Sequence, residues 1–513
     1  MKRLRRSLIL ALVVLPVTLS QAPAAFAQAE AYSGVISSQV LFEENCAVCH
    51  GEDLNGAAQG PSLRGQLRHG DSVADVIAST TNGYEASGMP PWQNTFDAAQ
   101  IRSIALYVLE TRSNLDYVTS NFDMPLSIPE GWFESDSHDF RLETVVDGLD
   151  SLPFSIEPLP DGSLLLTEKT QGLLIVSPDG ERSDFIQGTP QAYDDIYRLD
   201  SRLDIERGMG WLFDVALHPD YEENGWIYLH FGDRCTDCNT RSRESGRPVG
   251  MNKLVRGKIE DGEWLEEETI WQANMEDYNQ AGDVGAGGRV AFDDAGHVYF
   301  SVGSRGPMAG IQDLSKPWGK THRVNDDGSI PEDNPFANRD DVYRSVYTYG
   351  HRSPQGLEFD PATGELWGTE HGPRGGDEVN RLLSGGNYGW PLYSLGIDYD
   401  GTAVEYGTDL GITFDLSDIE QPVVDLTPSP AVSSFIISTS ERFPEWQGDF
   451  LVGSLKARSL FRIEIEDNQL VHRETLFEGI GRIRDIEQGF DGDIYVLIEH
   501  SSGGQIVRVA PVD

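Results

Sequence analysis

The chain has 513 residues, 39% hydrophobic and 10% aromatic, a composition that fits folded globular units and excludes a disordered or fibrous chain. That length calls for more than one core. With 83 acidic against 39 basic side chains, the formal charge of −44 repels nucleic acid and anionic lipid, so neither is an expected partner.

The first element is a leader. Met1-Lys2-Arg3-Leu4-Arg5-Arg6 is a basic head, Leu8 to Leu19 is an apolar run, and Ala25-Phe26-Ala27 supplies small residues for cleavage. This pattern predicts a signal peptide over 1–27 and a periplasmic or secreted protein. Beyond it no run of about 18 apolar residues occurs, so no membrane span is expected after cleavage.

Residues 35–115 come next. Ser38 to Glu44 reads as a helix running into Cys46-Ala47-Val48-Cys49-His50, the C-x-x-C-H haem attachment signal. The spacing lets two thiols reach the two vinyl groups of one porphyrin while the adjacent imidazole reaches the iron. Gly88-Met89-Pro90 follows, and Ile101, Ile104, Ala105, Val108 and Leu109 form the stripe of a closing helix from about Asp97 to Thr111. Together these resemble a class I cytochrome c. The resemblance implies haem c bound through Cys46 and Cys49, with His50 and Met89 as axial ligands and Pro61 supporting the histidine. A His/Met pair fills both axial positions, which suits electron transfer.

Residues 116–139, with Pro125, Pro129 and a polar stretch from Glu134 to Asp139, read as a linker. From 140 to 513 short β-like runs alternate with turns such as Pro160-Asp161-Gly162 and Phe490-Asp491-Gly492. At about 60 residues per unit this predicts a six-bladed β-propeller. The expected fold class is therefore mainly β, with a small all-α cytochrome c domain ahead of it. Cys235 and Cys238 have no histidine after them and read first as a local disulfide; a metal pair or thiol redox site is the alternative.

Several segments carry a second resemblance: Asp214-Val215-Ala216-Leu217-His218-Pro219-Asp220, Tyr349-Gly350-His351-Arg352-Ser353-Pro354-Gln355-Gly356, Thr369-Glu370-His371-Gly372-Pro373-Arg374-Gly375-Gly376-Asp377-Glu378, Gly386-Asn387-Tyr388-Gly389-Trp390-Pro391 and Arg482-Ile483-Arg484-Asp485. In order, they resemble the soluble glucose/aldose sugar dehydrogenases of the glucose/sorbosone dehydrogenase type, which use pyrroloquinoline quinone (PQQ) on a six-bladed propeller. PQQ carries three carboxylates, and Arg suits bidentate carboxylate contacts. Arg482 and Arg484, two apart on a strand, point to one face. The resemblance implies that they hold PQQ together with Arg352 and Lys456. It also implies Ca2+ at the carbonyls of Gly372 and Pro373, and a second, structural calcium at Glu378 and the carbonyl of Tyr388.

Three departures from the family pattern stand out. The position of the family's base histidine falls on Gly285, a glutamine position on Met209, and an asparagine position on Ser353. Glycine cannot accept a proton, so the base is either relocated, with Asp283 and His371 as candidates, or lost. His351 reads as structural. Two functions follow. One is a dehydrogenase that oxidises a sugar or related alcohol and passes electrons to its own haem, then to a downstream acceptor (a cytochrome, a quinone or an oxidase). The other is a sugar- or protein-binding propeller attached to an electron-transfer cytochrome. The surviving cations favour the first.

Overall fold

The structure, a computed structural model, describes residues 38–119, 126–195, 197–198, 206–399, 402, 404 and 406–512. The leader over 1–27 lies outside the described residues. Among the described residues no helix is long and apolar enough to cross a membrane.

The N-terminal unit is helical: α1 (Ser38–Asn45), α2 (Ala47–His50), α3 (Val73–Asn82) and α4 (Ala98–Thr119). A capping box starts α3: Ser72 Oγ accepts from the Asp75 N–H at 3.1 Å, and the Asp75 carboxylate accepts from the Ser72 N–H at 3.2 Å. It ends at Gly83, whose φ is +63° and where an added Cβ would lie 2.4 Å from the Pro90 carbonyl carbon. Only glycine lets the Met89 loop return so close.

The predicted stripe of α4 is buried inside this unit. Ala105 and Leu109 meet Val76 of α3, while Ile101, Ile104 and Val108 meet Leu41 and Phe42 of α1. The opposite face is buried too, at Ser103, Leu106, Tyr107 and Glu110. A small domain standing alone leaves one face of such a helix wet. Here that face rests on the second unit. The helix also runs past its predicted end to Thr119, and from Leu126 the chain packs onto the propeller. The stretch expected as a linker is thus helix at one end and packed chain at the other.

The second unit is a six-bladed propeller. Blade 1 is Pro153–Pro158, Leu164–Glu168 and Gly172–Val176; blade 2 runs from Leu212–Leu217 to Glu263–Gln272. Blade 3 runs from Gly287–Phe292 to Val346–Tyr349, blade 4 from Pro354–Phe359 to Val424–Asp425, and blade 5 from Val432–Ile437 to Gln469–Glu478. Blade 6 combines Arg482–Gln488, Ile494–Glu499 and Gln505–Pro511 with the early strand Phe140–Val146, which pairs antiparallel with Gln505–Pro511 in the register Leu142↔Val509. The first and last strands therefore close the ring and leave no gap between its ends.

Inner strands such as Leu212–Leu217 and Val432–Ile437 are buried along their whole length because both of their faces meet neighbouring blades. The core accordingly lies between blades: Leu165 and Leu173 of blade 1 against Val215 and Leu229 of blade 2, and Trp367 of blade 4 against Phe435 and Val452 of blade 5. Cys235 and Cys238 form a disulfide at the end of the second strand of blade 2.

Candidate active site at one end of the propeller

Each inner strand pairs antiparallel with the second strand of its blade, so the starts of the inner strands and the ends of the second strands gather at one end of the ring. Arg352, His371, Lys456, Arg482, Arg484, Asp283 and Gly285 all lie at one of these strand ends or in a loop leaving it.

Arg482 and Arg484, at the start of the blade 6 inner strand, converge on Glu499, at the end of the next strand. Arg482 Nε donates to Glu499 Oε1 at 2.7 Å, and Arg484 Nε and Nη2 donate to Oε2 at 2.8 and 2.5 Å. Lys169, at the end of the second strand of blade 1, brings Nζ to 3.4 Å from the same Oε2. Burial opposes its charge, but Arg484, Lys169 and Arg482 hold the Glu499 carboxyl well below the usual range. Burial, and then Arg484, push the Lys169 ammonium down to about 7. Three cations share one carboxylate, and among the described residues the Trp211 indole N–H beside Lys169 has no partner. Three positive side chains gathered on one buried carboxylate, with an indole donor beside them, fit an anionic ligand. Lys169 and Glu499 escape a reading of the sequence. The one local signal is a basic side chain three residues past the apolar run Leu164–Leu166.

Arg352 stands before the inner strand of blade 4. Its Nη2 donates to Tyr399 OH at 2.9 Å, its Nη1 to the His371 carbonyl at 3.1 Å, and its guanidinium lies 5.4 Å from the Trp390 ring centre. Glu370 accepts from the Arg352 backbone N–H and from His351 Nδ1 at 2.8 Å, while Thr348 Oγ1 contacts His351 Nε2 at 2.7 Å. His351 is therefore a buried brace. His371 Nε2 donates to the Val432 carbonyl at 2.6 Å. Burial, followed by the charges of Arg352, Arg484 and Arg482, pushes its pKa down to about 3, so the ring stays neutral among these cations.

The loop after His371 is pinned by Asp377, whose Oδ1 and Oδ2 accept from the Gly372 and Val432 N–H groups, each at 3.0 Å. Next to it, burial and the nearby Glu370 raise the Glu378 carboxyl well above the usual range, and Asp425 and Asp377 add to the repulsion. Asn380 Nδ2 donates to it at 3.1 Å, and Asn380 Oδ1 is buried with no partner among the described residues. Oxygen acceptors in such excess over donors fit a hard divalent cation. Tyr388 is fixed by its hydroxyl, which donates to the Arg381 carbonyl at 2.6 Å. Lys456 leaves the second strand of blade 5, with Nζ 3.4 Å from Glu110 of α4.

The three departures, Met209, Gly285 and Ser353, stand just before the inner strands of blades 2, 3 and 4. Gly285 has φ +73°, and a Cβ there would meet Ser353 Oγ at 3.5 Å, with nothing nearer. Asp283 does not face this opening. Its Oδ2 accepts from the Gly210 and Trp211 N–H groups at 2.7 and 2.9 Å, its Oδ1 pairs with Arg305 Nη2, and both side chains are fully buried. Arg305 Nη1 also donates to Asn252 Oδ1 at 2.9 Å. Asp283 thereby clamps the Met209–Trp211 loop to blade 3. Its oxygens are committed, which leaves no room for a substrate hydroxyl.

In the helical unit, His50 Nδ1 donates to the Pro61 carbonyl at 2.9 Å, fixing the tautomer that leaves Nε2 for iron. Cys46 and Cys49 flank the start of α2, and Met89 sits half-buried in the loop returning from Tyr84. With Leu54, Phe96 and Tyr107 nearby in an apolar core, the chemistry of the donor set fits haem c.

Fold and site define a redox β-propeller joined to a c-type cytochrome. Residues 150–508 match the model of the glucose/sorbosone dehydrogenase family, and residues 36–108 that of subunit III of the cbb3-type cytochrome c oxidase. The chain belongs to the glucose/sorbosone dehydrogenase family, with a cytochrome c domain at its N-terminal end. It is similar to aldose sugar dehydrogenase YliI of Escherichia coli, 32% identical over 72% of this chain and 93% of that protein. It is also similar to quinoprotein glucose dehydrogenase B of Acinetobacter calcoaceticus, 29% identical over 52% of this chain and 56% of that one. A crystal structure of a glucose dehydrogenase superposes with a TM-score of 0.62 at 30% identity, covering 72% of this chain and 99% of that one.

Proposed function

We propose that the protein is a periplasmic PQQ-dependent dehydrogenase that oxidises a sugar or related alcohol and passes the electrons to its own haem c. The observation that carries this reading is the convergence of Lys169, Arg482 and Arg484 on the one buried carboxylate of Glu499: in a chain of net charge −44, three positive side chains gathered at strand ends suit an anionic ligand. The relative named a quinoprotein supports PQQ as that ligand. When bound, PQQ supplies a two-electron hydride acceptor, calcium a Lewis acid beside it, and haem c a one-electron carrier.

The chain's own residues do the rest. Arg352, Lys456, Arg482 and Arg484, with Lys169, would hold the cofactor carboxylates. The carbonyls of Gly372 and Pro373 would hold one calcium, and Glu378 with the Tyr388 carbonyl a second. Cys46, Cys49, His50 and Met89 would hold the haem. Neither candidate base is well suited to its task. Asp283 is spent on Arg305 and two amides, and a histidine held near 3 gives little general-base help at neutral pH. The reading is therefore a dehydrogenase whose substrate or proton route differs from that of a histidine-bearing relative.

The test is reconstitution of the full chain with calcium and PQQ, oxidation of the haem, and addition of a panel of sugars and alcohols. Haem reduction that requires both PQQ and one substrate class supports the reading. A second reading, a propeller that binds a sugar or protein without oxidising it, is favoured by Gly285; PQQ bound with the haem oxidised across the panel would select it.

A further inference from the structure

The buried second face of α4 touches the propeller at the cofactor end of the ring. Glu110 leaves this face into a gap between blades 4 and 5 and is 2% exposed. Its Oε1 accepts from the Ser429 N–H at 2.5 Å, and its Oε2 lies 3.4 Å from Lys456 Nζ. Gly375 admits it closely: a Cβ on Gly375 would be 3.5 Å from Glu110 Oε1. Three contacts flank this carboxylate. The Arg374 guanidinium lies 5.5 Å from the Tyr107 ring centre, Arg102 Nη2 donates to the Leu395 carbonyl, and Ile397 joins the apolar core of the cytochrome unit. Arg374 and Ile397 are themselves locked together by reciprocal backbone hydrogen bonds of 2.8 Å. The loop that follows His371 is thus held on one side by Asp377 and pressed on the other by α4.

We propose that α4 is a fixed docking arm, with Glu110 as its positioning residue, which holds the cytochrome over blades 4 and 5 so that electrons leave the propeller for the haem of the same chain. The inference rests on the proposed dehydrogenase reading for its electron traffic, but its geometry does not. A carboxylate buried this deeply is costly unless its partners stay in place, so Glu110 favours one docked arrangement over a swinging one. It reaches Lys456 from the cytochrome side, so the propeller's anchoring cation and the haem unit share one contact. Each turnover releases two electrons, and the haem iron takes them singly: Fe(III) becomes Fe(II) with the first, a one-electron acceptor outside the chain reoxidises it, and it then takes the second. A docked haem receives each electron from the propeller without waiting for an encounter between two copies of the chain.

The test uses the full-length chain loaded with haem, PQQ and calcium. Amide exchange is followed at Ser429 and over 372–378, and substrate-driven haem reduction is compared with reduction of a small dye. In the wild type, Ser429 should be protected, and the haem reduction rate should not depend on protein concentration. Glu110→Ala should speed Ser429 exchange at least tenfold and slow haem reduction at least tenfold, while dye turnover changes by less than threefold. Glu110→Gln keeps an oxygen for the Ser429 N–H and should return most of both. Arg102→Ala, far from Lys456, should loosen the same amides. Wild-type Ser429 exchanging as fast as an open loop, or Glu110→Ala leaving exchange and haem reduction unchanged, would overturn the proposal. If substrate reduces neither dye nor haem, the dehydrogenase reading fails, and the exchange data still decide the docking.

Discussion

Blades 4 to 6 and blades 2 to 3 meet at the same end of the ring yet have been put to different uses. On one side the cations Arg352, Arg482 and Arg484 stand at strand ends around a neutral His371, with Lys456 near Asp377 and a loop crowded with carboxylates. On the other side, Gly285 leaves an opening beside Ser353, and Asp283 and Arg305 are buried against each other. Charge that anchors a ligand has to remain poised and partly unpaid, whereas Asp283 and Arg305 cancel each other and hold loops together. Under the proposed function, residues of the same chemical type would serve binding in one sector, and they serve architecture in the next.

The sharpest way to break this comparison is Asp283→Ala. It strands Arg305 without a counter-charge in the interior and should lower stability by about 3–5 kcal/mol in urea unfolding. Lost turnover at unchanged stability would instead make Asp283 a working base. Next comes Arg484→Met, which removes a buried donor from the cation cluster. It should weaken PQQ binding by about tenfold to a hundredfold in calorimetry, the worth of one charge-assisted hydrogen bond; unaltered affinity would place the ligand elsewhere.

Gly285→His restores an imidazole at the opening. Aldose turnover should rise about tenfold, net of roughly 1 kcal/mol of left-handed backbone strain. No gain would show that the rebuilt sector limits the reaction for another reason. The smallest effect is on pH. Lys169, held at about 7, is largely neutral above that pH, and a bound anion pulls its proton back. Binding should then take up a proton, and PQQ affinity should fall as pH rises above about 7, by no more than about tenfold per unit. Calorimetry in buffers of different ionisation enthalpy reads the proton directly, and Lys169→Met should abolish the uptake.

Much of the site is written locally. The haem motif is legible because covalent attachment needs adjacent residues, and Arg482 and Arg484 are legible because strand periodicity sets their shared direction. The end of α4 is less so: its stripe is plain, but the burial of Tyr107 and Glu110 depends on a surface far along the chain. Lys169 and Glu499 lie 330 residues apart and become one site only when blade 1 closes against blade 6. Asp283 looks available in sequence, on a glycine-rich loop, because nothing nearby reveals Arg305 or the amides of the Met209–Trp211 loop.

The sequence by itself determined that the chain carries a haem motif, a run of short strands and a set of arginines suited to carboxylates, since each depends on spacing or alternation within one segment. Tertiary structure alone decided which of those charges gather at one end of the ring and which neutralise one another, and where the cytochrome rests. Burial and pairing are properties of surfaces brought together from distant blades, and the energy of a charge is set by what surrounds it.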